Sequence, residues 1–313
     1  MRVAVGSRSF SRHPVLREEL KAAFPQTTFN DAGAKLSGDA LISFLQGHDA
    51  AIIALESVSD HILSALPDLR VISKFGVGYD GLDLDAMRRR GVLLGWTGGS
   101  NRRAVSELAL TLMLSLLRRL PSMAADLRDG VWRVTVGRQL TGRTVGIIGC
   151  GRVGQDVVRI LAPFGCRILV NDIRDRSAFC AETGAESVRL ETLLAEAEVV
   201  SLHTPLDAGT RDLLSADRLS LMRSDAVLIN VARGGLVDEA ALATMLDEDR
   251  LAGAGFDVFS EEPPTNAALL GSPKMMVTPH IGGSTEEGVL AMGRAAIAGL
   301  SDARPPEAGV HPS

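Results

Sequence analysis

Cysteine is scarce in this chain: Cys150, Cys166 and Cys180 are the only three among 313 residues. They are too few and too widely spaced for a disulfide framework or a zinc-finger pattern, so buried thiols in a reducing compartment, the cytoplasm, are expected, with no metal site. Positive charge is not in excess. With 33 Lys+Arg against 38 Asp+Glu the net charge is −5, which argues against an extended phosphate-binding surface and hence against a nucleic-acid partner. Long apolar runs are missing too. The richest stretch, 104–117 (AVSELALTLMLSLL), carries Ser106, Glu107 and Ser115 and stops at Arg118-Arg119, short of the ~20 residues that a membrane span requires. The N-terminus, MRVAVGSRSF, has only a three-residue apolar core between Arg2 and Gly6. That is too short for a secretory signal, so it reads as a first strand at the start of the mature protein, with no membrane involvement.

What remains is an ordinary globular composition, 46% hydrophobic and 23% charged, which excludes disordered and fibrous classes. The length suits two domains. Short β-rich runs alternate with helical stretches, the pattern of parallel α/β sheets. A first set comprises RVAVGS (2–7), TTFN (27–30), AAIIAL (50–55), VISKF (71–75) and VLLGW (92–96), with amphipathic segments such as 14–23 and 60–65 between them. A second set comprises TVGIIG (144–149), RILVND (167–172), VVSLHT (199–204), AVLINVA (226–232), AGAGFDV (252–258) and MMVTPH (275–280). Six strands suit a dinucleotide-binding sheet.

The helix at 104–119 is apolar on nearly all sides, which predicts burial on one face and contact with a second subunit, a homodimer, on the other, with a core helix inside one chain as the alternative. Gly98-Gly99 and Gly282-Gly283 flank the second set and suit a hinge. The expected organisation is therefore two doubly wound α/β domains, one inserted in the other: 1–98 with 284–313, and 99–283. A helix over 285–300 returns to the first sheet, followed by a Pro-rich, poorly ordered end, ARPPEAGVHPS.

Strand TVGIIG runs directly into GCGRVG, so Gly149, Gly151 and Gly154 fall at a strand-to-helix turn, with Arg152 and Val153 in the helix start. Gly149 allows the tight turn, Gly151 the approach of a pyrophosphate, and Gly154 the packing of helix on strand. Asp172 lies 18 residues past Gly154 at the end of the next strand, where a carboxylate accepts hydrogen bonds from ribose hydroxyls and repels a 2′-phosphate. NAD is therefore the expected cofactor, with Arg174 and Arg176 leaving room for NADP. Three further motifs, NVARGG (230–235), FDVFSEEP (256–263) and TPHIGG (278–283), sit at the ends of later strands, where open α/β sheets bind ligands.

With those motifs the sequence resembles the D-2-hydroxyacid dehydrogenase family, most closely its phosphoglycerate-dehydrogenase-like branch. The resemblance extends through KFGVGYDGLDLDA (74–86), SNRRAVSELA (100–109), GRTVGIIGCGRVG (142–154) and SLHTP (201–205). It implies a Rossmann NAD-binding domain inserted into a flavodoxin-like substrate domain, and interconversion of a 2-keto acid and a D-2-hydroxy acid after domain closure. Carried over residue by residue, it makes Arg233 the ligand of the substrate carboxylate and carbonyl, His280 the acid/base and Glu262 its partner. The chemistry agrees: a guanidinium fork fits a carboxylate beside a carbonyl, and an imidazole supplies the proton that the new alkoxide needs.

The same resemblance places His203, Thr204 and Pro205 beside the adenosine half of the cofactor, and Val231, Ala232 and Asp257 at the nicotinamide, with Asp257 on its carboxamide. Gly282 and Gly283 complete the cofactor set. Lys74, Gly76, Val77, Gly78, Ser100 and Asn101 match positions facing the substrate. Formate dehydrogenase relatives carry Gln where Glu262 stands, which argues against formate. In the familiar phosphoglycerate enzymes a basic segment holds the phosphate, but here it reads ESVS (56–59), and Glu56 repels phosphate. A small 2-keto acid such as glyoxylate or hydroxypyruvate is favoured, with 3-phosphoglycerate as the alternative. About 30 residues follow TPHIGG, too few for the serine-binding domain of the longer enzymes. The rival from another class is an NAD-sensing corepressor-like interaction protein, which shares the Arg/Glu/His set.

Overall fold

The computed structural model describes residues 1–307, and the chain divides into two compact units: Met1–Asn101 with the segment beginning at Gly283, and Arg102–Gly282. The first crossing thus falls three residues later than the glycine pair suggested, and the second one residue earlier. Both shifts follow from packing, because the helix that starts at Arg102 belongs to the second unit while Gly283 lies against Asn101.

The first unit is built on a five-stranded parallel sheet of β1 (Val3–Val5), β2 (Thr27–Phe29), β3 (Ala50–Ile53), β4 (Val71–Lys74) and β5 (Leu93–Gly95), in the order β2-β1-β3-β4-β5. Strands β1, β3 and β4 are buried at every residue, since helices cover both faces of such a sheet and leave no solvent side to alternate toward. The helix Glu286–Gly299 returns to this sheet. Ser73 Oγ donates to the carbonyl of Ala296 at 2.6 Å, and a Cβ at Gly95 would meet the Gly299 carbonyl oxygen at 2.2 Å, so only glycine allows the approach. The expectation of a loose end fails at its start: Arg304 exchanges backbone hydrogen bonds with Leu94, which extends the sheet edge. The rest of that segment, from 308 and including His311, lies outside the described residues.

The second unit is a seven-stranded parallel sheet: β6 (Thr144–Ile148), β7 (Arg167–Asn171), β8 (Glu186–Ser187), β9 (Val199–Leu202), β10 (Val227–Asn230), β11 (Gly253–Phe256) and β12 (Met275–Val277). Its order is β12-β11-β10-β9-β6-β7-β8, a doubly wound sheet whose direction reverses between β6 and β9. The seventh strand, β8, escaped sequence reading because two exposed polar residues carry no apolar pattern.

The helix Arg102–Leu117 packs closely on its own sheet. Leu112, Met113, Leu116 and Leu117 are all buried within their own unit, against the helix Arg152–Leu161 and strands β10 and β11. The glycines of β11 make this possible: a Cβ at Gly255 would come within 3.1 Å of both Leu112 and Leu116. Val105, Leu108, Leu110 and Leu114 of this helix stay half-buried. Exposed apolar side chains occur instead after the following helix, Leu120–Arg128, where Trp132, Val134 and Val136 are 85%, 82% and 87% exposed. Among the described residues no single helix is long and apolar enough to cross a membrane.

Candidate cofactor and catalytic site

The site in the second unit is assembled at the carboxyl ends of its strands. The chain leaves β6 through Gly149, whose φ of +88° suits glycine. A Cβ there would collide with Thr204 Cγ2 at 2.7 Å and the His203 carbonyl at 2.8 Å. Gly154 packs on the same turn, its missing Cβ only 2.1 Å from the Gly149 carbonyl oxygen. Gly151 differs, because nothing lies within 4 Å of where its Cβ would stand. It caps the ten-residue helix Arg152–Leu161 without a side-chain hydrogen bond, and a helix N-terminus of this kind suits an anion.

Two polar atoms beside this turn are buried without a partner: His203 Nδ1 and Thr204 Oγ1. The other imidazole nitrogen, Nε2, lies 2.9 Å from Ser201 Oγ, and burial pushes the His203 imidazole down to about 3, so it is neutral near pH 7. Pro205 follows on the surface. Orphaned polar atoms next to a glycine turn fit a bound dinucleotide that supplies their partners.

Asp172 stands at the end of β7 but not as a free charge. Its Oδ2 accepts from the Cys150 N–H at 2.7 Å and its Oδ1 from the Arg174 N–H at 2.8 Å. Arg176 Nε lies 3.2 Å from Oδ2, and the carboxylate is only 8% exposed. Arg176 thus offsets part of the negative charge that Asp172 sets against a 2′-phosphate.

At the other half of the sheet three loops converge. Asn230, which ends β10 and is 1% exposed, donates to the Arg233 carbonyl at 2.8 Å and accepts from the Ala232 N–H at 3.1 Å. This shapes the turn that carries Val231, Ala232 and Arg233. Gly234 lies on the neighbouring loop so closely that a Cβ would stand 1.8 Å from the Phe259 carbonyl oxygen. Arg233 and Glu262 thus come from loops locked together by backbone contact. Glu262 Oε1 accepts from the Phe259 N–H at 3.2 Å, and its Oε2 lies 2.9 Å from His280 Nδ1. The pair is open, with side chains 46% and 40% exposed for His280 and Glu262. His280 Nε2 has no partner among the described residues and is available to a substrate oxygen.

His280 has a φ of +55°, a left-handed conformation costing a non-glycine residue roughly 1–2 kcal/mol. Asp257 holds it there. This carboxylate, 1% exposed, accepts from Thr278 Oγ1 at 2.5 Å, from the Ile281 N–H at 2.7 Å and from the Gly282 N–H at 2.7 Å. The His280 N–H donates to the Asp257 carbonyl at 2.9 Å. The structure therefore gives Asp257 three intramolecular donors, which fix the loop that carries His280. Sequence reading also missed Asn230 and Thr278; their signal was only their place inside NVARGG and TPHIGG.

The first unit carries the remaining residues. Lys74 ends β4, 7% exposed, and donates to the Ala54 carbonyl. Gly76, at φ +132°, opens the loop through Val77 and Gly78, all half-buried, and Trp96 Nε1 donates to the Val77 carbonyl at 2.8 Å. Ser100 and Asn101 precede the crossing, where Asn101 Nδ2 stands 2.7 Å from the Cβ position of Gly283. Gly283 belongs with this unit rather than with the cofactor sheet.

Residues 110–282 match the model of the D-isomer specific 2-hydroxyacid dehydrogenase NAD binding domain. The chain belongs to that family. It carries the 2-hydroxyacid dehydrogenase NAD binding domain, and the glycine turn and orphaned polar atoms fit NAD. The chain is 37% identical over 252 residues to a Mycobacterium bovis protein named D-3-phosphoglycerate dehydrogenase, a match that spans 80% of this chain and 48% of that protein. It is 36% identical over 244 residues to a Thermococcus litoralis glyoxylate reductase, spanning 75% of this chain and 74% of that one. The chain thus spans about half the length of the phosphoglycerate dehydrogenases it matches. Among solved structures, a Thermus thermophilus protein superposes with a TM-score of 0.84 at 34% identity, covering 99% of this chain and 100% of that one.

Proposed function

We propose that this family member interconverts a 2-keto acid and a D-2-hydroxy acid with NAD. The reading rests on the His280–Glu262 pair, in which one ring nitrogen is engaged by a carboxylate and the other is open, on a backbone that three donors to Asp257 hold in place. Bound NAD supplies the hydride donor and acceptor. In reduction His280 gives a proton from Nε2 to the carbonyl oxygen, and Glu262 holds the ring through Nδ1. Arg233 holds the substrate carboxylate and polarises the carbonyl as negative charge grows on oxygen. Lys74, Ser100, Asn101 and the Gly76–Gly78 backbone recognise the rest of the substrate.

A small acid without phosphate is favoured, of the glyoxylate or hydroxypyruvate type, because Glu56 stands where a phosphate-binding residue would be needed. The relatives named for glyoxylate and for phosphoglycerate bracket the choice. A corepressor-like role is the second reading; it shares the Arg/Glu/His set, so turnover of a 2-keto acid separates the two. Self-association is assigned to the exposed strap around Trp132, Val134 and Val136, which a homodimer would cover. The three free thiols suit the cytoplasm. A screen of NADH consumption against plain and phosphorylated 2-keto acids tests the reading, which fails if none is reduced.

A further inference from the structure

The loop that carries Glu262 leaves β11 at Phe256 and is anchored first by Phe259, 7% exposed, whose ring centroid lies 6.2 Å from that of Phe256. Beyond it the chain surfaces: Ser260, Glu261, Glu262 and Pro263 are all exposed. An exposed loop keeps one conformation only where its backbone is tied down. Two successive N–H groups are tied here, each to a carboxylate. The Phe259 N–H donates to Glu262 Oε1 at 3.2 Å, and the Ser260 N–H donates to Glu239 Oε1 at 2.7 Å. Glu239 opens the helix Glu239–Asp247, which follows the turn that carries Arg233. The start of that helix is already capped by Asp238, whose Oδ1 accepts from the Ala240 and Ala241 N–H groups at 3.1 and 3.0 Å, so the cap does not need Glu239. Half-buried, Glu239 instead reaches a residue 21 positions along the chain. The peptide unit between Phe259 and Ser260 is consequently held from both sides, its carbonyl packed on Gly234 and its N–H bonded to Glu239.

We infer that Glu239 is a positioning residue: by holding the Ser260 N–H it fixes the Phe259–Ser260 peptide, keeps the Phe259 N–H aimed at Glu262 Oε1, and so leaves Glu262 Oε2 on His280 Nδ1. This deepens the dehydrogenase reading and rests on it. Glu262 is 40% exposed, and a long side chain in water gives up rotamer freedom only for fixed partners. Without Glu239 the Ser260 N–H turns to water, at little cost in stability for an exposed group. The neighbouring N–H then swings off Oε1, and Glu262 spends less time against the imidazole. A purely structural role, in which an acid in the first turn complements the helix dipole, would change stability and leave the His280–Glu262 pair alone.

The test is steady-state NADH oxidation with whichever 2-keto acid the wild type reduces fastest, for Glu239→Ala, Glu239→Gln, Glu262→Ala and the double variant Glu239→Ala/Glu262→Ala. Glu239→Ala should lower kcat about tenfold while KM and the NADH dissociation constant stay within about threefold. Its melting temperature should match wild type to within about 2 °C, since an exposed N–H finds water. Glu239→Gln keeps an oxygen acceptor for the Ser260 N–H and should restore kcat to within about threefold of wild type. In the Glu262→Ala background there is no carboxylate left to position, so adding Glu239→Ala should lower kcat by less than about twofold. If acids are reduced but Glu239→Ala keeps the wild-type kcat, if Gln fails to rescue, or if the full loss recurs without Glu262, the Glu239 assignment is wrong and the dehydrogenase reading stands. If no 2-keto acid is reduced, both fall.

Discussion

Replacing Asp257 should disable the protein by loosening one loop. Asp257→Ala removes the acceptor of three hydrogen bonds, from Thr278 Oγ1, Ile281 N and Gly282 N, at a residue 1% exposed. Two backbone N–H groups lose their partner, at roughly 1–3 kcal/mol each for an unsatisfied buried donor. A loss of about 4 kcal/mol, at roughly 2–4 °C per kcal/mol for a unit of this size, lowers the melting temperature by about 8–16 °C. The loop that holds His280 at φ +55° then relaxes toward an unstrained backbone, which carries the imidazole away from Glu262. Asp257→Asn separates loop-holding from direct cofactor contact. Its amide nitrogen must face one of the two N–H donors, so kcat should fall at least tenfold while the NADH dissociation constant changes less than threefold. Calorimetry, NADH fluorescence titration and steady-state kinetics give the three numbers. An unchanged melting temperature with a much weaker NADH affinity would refute the argument.

Other consequences follow from individual groups. Burial holds His203 at about 3 against roughly 6.5 in an unfolded chain. Its contribution to stability is full above pH 6.5 and is lost as pH falls toward 3, on the order of 3 kcal/mol between pH 6.5 and pH 4; His203→Gln should flatten that dependence in denaturant titrations, and parallel curves would contradict it. Burial also pushes the Cys150 thiol up to about 12, and those of Cys166 and Cys180 upward. An aromatic disulfide reagent at pH 8 should therefore find fewer than one thiol in the native protein within minutes and all three after denaturation. Glu262→Gln removes the carboxylate that lies 2.9 Å from His280 Nδ1 and should lower kcat for keto-acid reduction about 10- to 100-fold; an undiminished kcat would take Glu262 out of the chemistry.

What could be read in advance follows the uniqueness of the residues concerned. Gly149 and Gly154 were legible because no other residue fits where a Cβ would stand 2.7 and 2.1 Å from its neighbours. Strand β8 was not, since Glu186 and Ser187 are held by pairing with β7 alone. Asp172 and Asp257 were found as residues but without their surroundings: Arg176 and the loop N–H groups that occupy their oxygens are tertiary partners that no spacing specifies. The sequence of the helix Arg102–Leu117 is apolar all round. The small residues of GAGF in β11, which let it sink onto the sheet, lie far along the chain. Asn230 and Thr278 act on backbone and carboxylate rather than on ligand, so their types alone gave no chemical signal.

Rapid-mixing kinetics of NADH oxidation with saturating hydroxypyruvate tests whether His280 delivers the proton while other residues bind the cofactor. His280→Gln should leave the NADH dissociation constant within about twofold of wild type and lower the rate of NADH oxidation at least a thousandfold, roughly 4 kcal/mol of lost transition-state stabilisation. A variant that oxidises NADH within tenfold of the wild-type rate would contradict it.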